Sequence, residues 1–263
     1  MDPLPVPKLK PDLTRGSLAT RAEQGVWHLE IPAGPKRRYR LAQIEDYTSL
    51  RRKDYPWQAP LHLSLRARAS SVEIPGTWGF GLWNDPYGMS LFPDIRLFSL
   101  PALPNAAWFF FASPHNYLSF RDDLPAHGAL AATFRSPHWS GLQTALSAHA
   151  LPFLVFPPSA RFYRRLAQRF IREDSTSLAV DPRLWHTYEI TWKTDGVAYQ
   201  VDGIIVLETK VSPLGPLGLV IWVDNQYAAF PPDGRITWGA LENPIPAWIE
   251  VTDIRLASLV TVS

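Results

Sequence analysis

Residues 185–210 read WHTYEITWKTDGVAYQVDGIIVLETK, and this stretch decides the fold. Three short runs rich in β-branched and aromatic residues, Thr187–Trp192, Val197–Val201 and Ile204–Thr209, are separated by Asp195-Gly196 and Asp202-Gly203. Asp-Gly between alternating apolar runs signals a tight hairpin, because a type I′ turn needs positive φ at both central residues. The stretch therefore predicts a double hairpin. Such a meander needs a second apolar layer over its inner face, which the rest of the chain must supply.

Outward from that stretch, Leu61–Ser70 (LHLSLRARAS) is the clearest strand: Leu61, Leu63, Leu65, Ala67 and Ala69 alternate with His62, Ser64, Arg66, Arg68 and Ser70. Strands are also expected at Val26–Ile31, Tyr39–Tyr47, Tyr117–Arg121, Gly128–Phe134, Leu217–Val223 and Trp248–Leu256. Gly76-Thr-Trp-Gly-Phe-Gly-Leu-Trp83 reads as a turn running into a strand whose glycines admit a close approach of backbone or ligand. The Asn84–Gly88 turn then leads into a proline-interrupted loop reaching Pro104. Ala106–Ala112 (AAWFFFA) is a continuous apolar run that fits a strand buried on both faces. A segment rich in Ser, His and Ala occupies 136–150. Prolines at 3, 5, 7 and 11 make residues 1–20 an extended tail or edge segment.

One stretch breaks the β pattern. Over Ser159–Glu173, Phe162, Leu166 and Phe170 recur every fourth residue, with Ser159 placed to cap a helix. The other face carries Arg161, Arg164, Arg165, Arg169 and Arg172, either a solvated face or a surface for an anionic partner. The reading is a single all-β sandwich domain over 21–263, two antiparallel sheets with one inserted amphipathic helix at about 159–173.

Composition narrows the function. Aromatic residues make up 13% of the 263 residues, and 26 prolines outnumber 15 glycines, which suits strands and turns. A formal charge of +2 gives no field of the kind that drives nucleic-acid binding. Cysteine is absent, so no disulfide framework or thiolate site forms. No run approaches the ~18 apolar residues that a membrane span requires. The N-terminus has no apolar leader, and the chain reads as cytoplasmic, or extracellular if a signal has been removed. There is no P-loop, GxGxxG or GxSxG, so nucleotide and serine chemistry have no support.

Three segments in order resemble glycoside hydrolase family 16: Leu63–Ala69, Gly76–Trp83, and Trp185–Trp192 with Tyr199-Gln-Val-Asp-Gly203. The closing Ile249–Leu256 is similar to that family's last strand. The resemblance covers roughly 60–256 and implies a concanavalin-like jelly roll with a carbohydrate as partner, bound in the cleft of a concave sheet. The family's hydrolytic pattern is Glu-x-Asp-x-x-Glu on one strand, because a retaining mechanism needs two carboxyls about 5–5.5 Å apart. The matching place here, Pro104–Phe111, holds no acid, and Asn105, Ala107 and Phe110 align with the missing ones.

The expected function is therefore glycan binding without hydrolysis by the family mechanism. Ligand candidates are Trp83, Asn84, Asn105, Trp108, Trp222, Asp224, Asn225 and Tyr227, which combine flat rings for sugar stacking with amide and carboxylate groups for hydroxyls. Trp192 and Trp238 also lie on or next to predicted strands. Relocated acids would make an active hydrolase, and Asp85, Asp122 and Asp224 are the candidates. The run Trp108–Phe111 leaves a third reading open, an apolar small-molecule pocket or interaction module. His115, His127 and His138 with Asp122 match no metal spacing, and no cofactor is expected. Asp253 aligns with a position that in the family helps bind a structural calcium.

Overall fold

A computed structural model describes residues 2–3, 8–86, 102–138 and 155–259. Two large antiparallel sheets face each other as a jelly-roll sandwich. The first sheet runs, in spatial order, β13 (Ile204–Thr209), β12 (Gly196–Val201), β11 (His186–Lys193), β6 (Leu61–Ala69), β17 (Ala247–Ser258), β4 (Trp27–Ile31) and β3 (Leu18–Arg21), with β1 (Asp2–Pro3) pairing the end of β17. The second runs β10 (Arg172–Ser177), β9 (Gly128–Arg135), β8 (Ala106–Ala112), β7 (Thr77–Trp83), β14 (Gly218–Asp224), β5 (Leu41–Glu45) and β2 (Lys10–Leu13). A small hairpin, β15 (Gln226–Ala229) with β16 (Thr237–Ala240), follows β14. Among the described residues one α-helix, α1 (Pro157–Phe170), interrupts the strands.

The double hairpin at 185–210 forms with β11 at the centre, paired on its other side with β6. At the second turn Asp202 (φ 51°) and Gly203 (φ 78°) both take the positive φ that a type I′ turn demands. At the first, Lys193 pairs with Gly196, so the two-residue connection is Thr194-Asp195 and lies one residue earlier than Asp-Gly suggests. Gly196 serves a different end: a Cβ there would collide with the Thr209 carbonyl of β13.

The core lies between the sheets. Leu61, Leu63, Leu65, Ala67 and Ala69 of β6 point into it as the alternation predicts, together with Tyr188, Ile190 and Trp192 of β11. They meet Trp78, Phe80 and Leu82 of β7, Ala107, Phe109 and Phe111 of β8, and Leu219, Ile221 and Val223 of β14. Trp192 is therefore core, with its indole N–H donating to Ser212 Oγ at 3.1 Å.

Several expectations change. Residues 10–13 and 18–21 are edge strands of the two sheets. Tyr117–Arg121 makes only one isolated bridge, Tyr117 to Ala229. Residues 172–177 form edge strand β10 on β9, so Arg172 and Glu173, expected to end the helix, belong to a strand. The loop expected up to Pro104 and the Ser/His/Ala-rich segment fall mostly at 87–101 and 139–154, outside the described residues.

The helix departs most from its sequence pattern. Phe156 is its N-cap residue with no side-chain cap, and prolines start the first turn, so Ser159 is inside the helix. The buried face is Ala160 and Arg164, while Phe162 is 60% exposed. Arg164, expected in solvent, is 8% exposed and donates to the carbonyls of Ser119 and Phe230 and to Asp122, each at 2.7 Å. A guanidinium with three acceptors fixes the helix against loops that present bare carbonyls, which a Phe cannot satisfy.

Candidate functional site: the outer face of the seven-stranded sheet

Every second residue of β7, β8 and β14 leaves the core and points to the sheet's other side. Register places Trp83 opposite Ala106, Gly81 opposite Trp108 and Gly79 opposite Phe110, with Gly79 also opposite Trp222. The glycines of β7 do admit a close approach, by the protein itself: a Cβ on Gly79 would stand 2.4 Å from the Phe109 carbonyl and 2.7 Å from the Trp222 indole, and one on Gly81 would meet the backbone of Ala107 and Trp108. Gly218 is roofed in the same way by Tyr47.

The result is a continuous aromatic layer. Trp222 lies parallel to Trp83 at 6.4 Å, and Trp108 contacts Trp83, Phe110, Phe134 and Trp222 with centroids 5.3–6.0 Å apart. Tyr47 and Tyr55, 4.7 Å apart, close the side toward β5. Trp222 is 7% exposed and Phe110 is buried beside it, whereas Trp83 and Trp108 stay partly open. The Trp83 N–H donates to Tyr47 Oη at 2.7 Å, and the Trp222 N–H to Thr77 Oγ1 at 3.0 Å. The Trp108 indole N–H has no hydrogen-bond partner among the described residues.

The predicted amides are brought near these rings but are occupied. Asn84 accepts from the Asn105 N–H at 2.9 Å and donates to the Leu103 carbonyl. Asn105 is tied to both backbone groups of Ser136 and to the Leu214 N–H. Asn225 accepts from the Arg40 N–H and donates to the carbonyls of Arg38 and Leu241. All three are buried and hold loops at the strand ends. Tyr227 sits apart on β15, its ring 6.0 Å from that of His115. Ala107 faces the core, so the outward set on β8 is Ala106, Trp108, Phe110 and Ala112, displaced by one residue from the alignment at Asn105 and Ala107.

The acids are scattered. Asp224 accepts from Thr77 Oγ1 at 2.8 Å and from the N–H groups of Thr77 and Gln226, and burial pushes its carboxyl up to about 7. Asp85 follows the opposite end of β7, so six strand steps of ~3.3 Å, about 20 Å, separate the two. Asp122 lies beyond β8, exposed and paired with Arg164. Asp85 and Asp224 are therefore too far apart to flank one glycosidic bond.

Other acids on this face were not among the sequence candidates. Glu45, opposite Val220, is fully buried, accepting from Gln43 Nε2 at 2.5 Å and Thr48 Oγ1 at 2.9 Å. The Tyr47 phenol is held neutral, its pKa raised by burial and then by the charges of Glu45 and Asp85. Glu173, opposite Phe134, accepts from Ser119 Oγ and the Arg121 N–H, and its pKa is raised by burial. The alternation Ala42-Gln43-Ile44-Glu45, two apolar positions in and two polar out, is the signal that finds Glu45.

Among the described residues no group of three or more His, Cys, Asp or Glu could hold a metal ion. Asp253 stands exposed at a bulge of β17 with φ 54°, a backbone feature that accounts for an Asp there. No helix among the described residues is long and apolar enough to cross a membrane.

Fold and face together define the class: a jelly-roll sandwich whose seven-stranded sheet turns an aromatic layer outward. No family model and no curated protein matches the chain. Among solved structures it is similar to the β-glucanase of Bacillus licheniformis, with 10% identity, TM-score 0.45, and coverage of 91% of this chain and 82% of that one. It is also similar to the κ-carrageenase of Pseudoalteromonas carrageenovora in complex with an oligotetrasaccharide of κ-carrageenan, with 14% identity, TM-score 0.49 and coverage of 90% and 81%. A third is a pseudo β-1,3-glucanase of Mycobacterium tuberculosis, with 12% identity, TM-score 0.44 and coverage of 90% and 76%.

Proposed function

We propose that the outer face of the seven-stranded sheet binds a carbohydrate around Trp108 and Trp83 and does not hydrolyse it through a carboxylate pair on β8. The observation that carries this reading is Trp108: a partly open indole at mid-sheet whose N–H has no hydrogen-bond partner among the described residues, backed by rings that fix its orientation. A flat ring stacks on sugar C–H groups while its edge donates to a hydroxyl, and preorganisation lowers the entropy lost on binding. Hydrolysis by two carboxyls requires them about 5–10 Å apart around the bond. β8 offers only Ala106, Trp108, Phe110 and Ala112 to this face.

The test is titration of the protein with β-glucan, galactan and xyloglucan oligosaccharides by intrinsic tryptophan fluorescence, beside an assay for released reducing ends. Saturable quenching without release supports the reading. Release that disappears in Glu45→Gln or Asp85→Asn replaces it with hydrolysis at the Tyr47 cluster. A second reading, a small apolar guest, is favoured by the burial of Phe110 and Trp222 under Tyr47 and Tyr55. It gains if no sugar binds and a hydrophobic dye competes with an alkyl glycoside for the Trp108 site.

A further inference from the structure

Helix α1 presents to solvent the side chains that an amphipathic helix ordinarily buries. At 100° per residue, Arg161, Arg165 and Arg169 fall on one stripe, and Phe162, Leu166 and Phe170 on the stripe beside it. The inward face is taken by Ala160, Arg164, Ala167 and Ile171, so both stripes point away from the sandwich. Phe162 is 60% exposed, and Val155 and Phe156, just before the first turn, are 71% and 62% exposed. The helix contains no acidic residue, and none of these three arginines makes an ion pair among the described residues.

A second element extends this surface. The turn at Asp233-Gly234 lies on the first turn of α1, close enough that a Cβ on Gly234 would meet Arg161 Cγ at 2.9 Å. It carries the exposed Arg235 and leads into β16, where Trp238 is 67% exposed. Aromatic rings and a basic stripe on adjoining elements are the combination that lies in a lipid–water interface: rings enter the acyl boundary and guanidinium groups pair with anionic headgroups.

We propose that α1 and the neighbouring 233–238 segment dock on an anionic lipid surface. Charge complementarity decides the occupant. A second copy of this chain would set this arginine stripe against itself or against a surface of formal charge +2 overall, and the one acid in the patch, Asp233, already lies 3.8 Å from Arg235. An anionic bilayer supplies both the negative charge for Arg161, Arg165 and Arg169 and the apolar layer for Val155, Phe156 and Phe162. The site is independent of the carbohydrate reading, because none of these residues lies on the outer face of the seven-stranded sheet.

The experiment is flotation of the full chain with vesicles of phosphatidylcholine, alone or mixed with phosphatidylglycerol, at low and high salt. Binding is expected only to the mixed vesicles and is expected to weaken with salt. The triple variant Arg161→Gln, Arg165→Gln, Arg169→Gln should lose on the order of a hundredfold in partitioning, at ~1 kcal/mol per arginine near an anionic surface. Phe162→Ser should lose about tenfold. Both variants keep Arg164 and should melt like the parent, which separates lost docking from lost folding. Equal binding to neutral vesicles, no binding to either, or binding unchanged in the triple variant overturns the proposal. So does concentration-dependent dimerisation abolished by Phe162→Ser, or retention on an acidic polysaccharide when vesicles fail, since each names a different occupant.

Discussion

The two faces of the seven-stranded sheet are both aromatic, and they are built differently. On the inner face Phe109 packs against Phe80, Tyr188 and Tyr199 with centroids 4.9–5.6 Å apart, and Trp78 stacks on Phe111 at 3.7 Å. These rings are closed over by the other sheet. On the outer face the rings lie over glycines of the same sheet and support one another sideways, and Trp83 and Trp108 remain partly open. Aromatic density alone does not mark a ligand site; what separates the faces is whether a second layer of the fold covers the ring. The first face is expected to answer to mutation in stability and the second in binding.

The largest effect belongs to the inner face. Phe109→Ala removes a fully buried ring from between two sheets, and urea unfolding should show a loss of about 3–5 kcal/mol. A loss under ~1 kcal/mol would mean that the inner face is no better packed than the outer. Next comes Asn225→Ala, which deletes three hydrogen bonds to buried backbone groups and should cost about 2–3 kcal/mol of stability. Sugar affinity in the surviving folded fraction should not change, and a selective loss of affinity would return Asn225 to the ligand set. Trp108→Ala sharpens the contrast from the other side. Sugar affinity should fall about ten- to thirtyfold, some 1.4–2 kcal/mol, with a smaller change in melting temperature. If the melting temperature falls as far as in Phe109→Ala, Trp108 is core and the comparison collapses.

How far the sequence reveals this depends on range. The double hairpin and β6 are legible because alternation and turn chemistry act within a few residues. Edge strand β10, Arg172-Glu-Asp-Ser-Thr-Ser177, is not, because its pairing with β9 uses backbone groups under a polar sequence. The period of α1 is legible, yet its orientation is not: amphipathicity states that two faces differ, while the carbonyls of Ser119 and Phe230 decide that Arg164 goes inward. On the outer face the sequence brings Trp83, Trp108 and Trp222 to notice, but the amides beside them are committed to distant backbone groups that no local pattern announces. Glu45 is within reach of the alternation in β5, although its hydrogen bonds to Gln43 and Thr48 are settled only in the fold.

The smallest effect per step is a slope in pH, and it tests whether the outer face is dry at its polar end. Burial raises the Asp224 carboxyl to about 7 from an ordinary 3.8, against four hydrogen bonds that favour the charged form. Between those values the folded chain holds a proton that the unfolded chain has released, so this group contributes stability that is full below pH 3.8 and is lost as pH rises through about 7. Asp46, raised to about 6 by burial, adds a contribution of the same sign. Asp224→Asn keeps an oxygen for Thr77 and Gln226, turns an amide N–H toward Tyr39, and cannot titrate. Urea melts from about pH 4 to about pH 8 should therefore show the parent losing more stability than the variant, at up to ~1.4 kcal/mol per pH unit. Since the Trp222 N–H reaches Asp224 through Thr77 Oγ1, tryptophan emission should shift over the same range in the parent alone. Parallel pH profiles for the two proteins would mean that water reaches Asp224, and that the outer face is open along its whole length rather than only at Trp83 and Trp108.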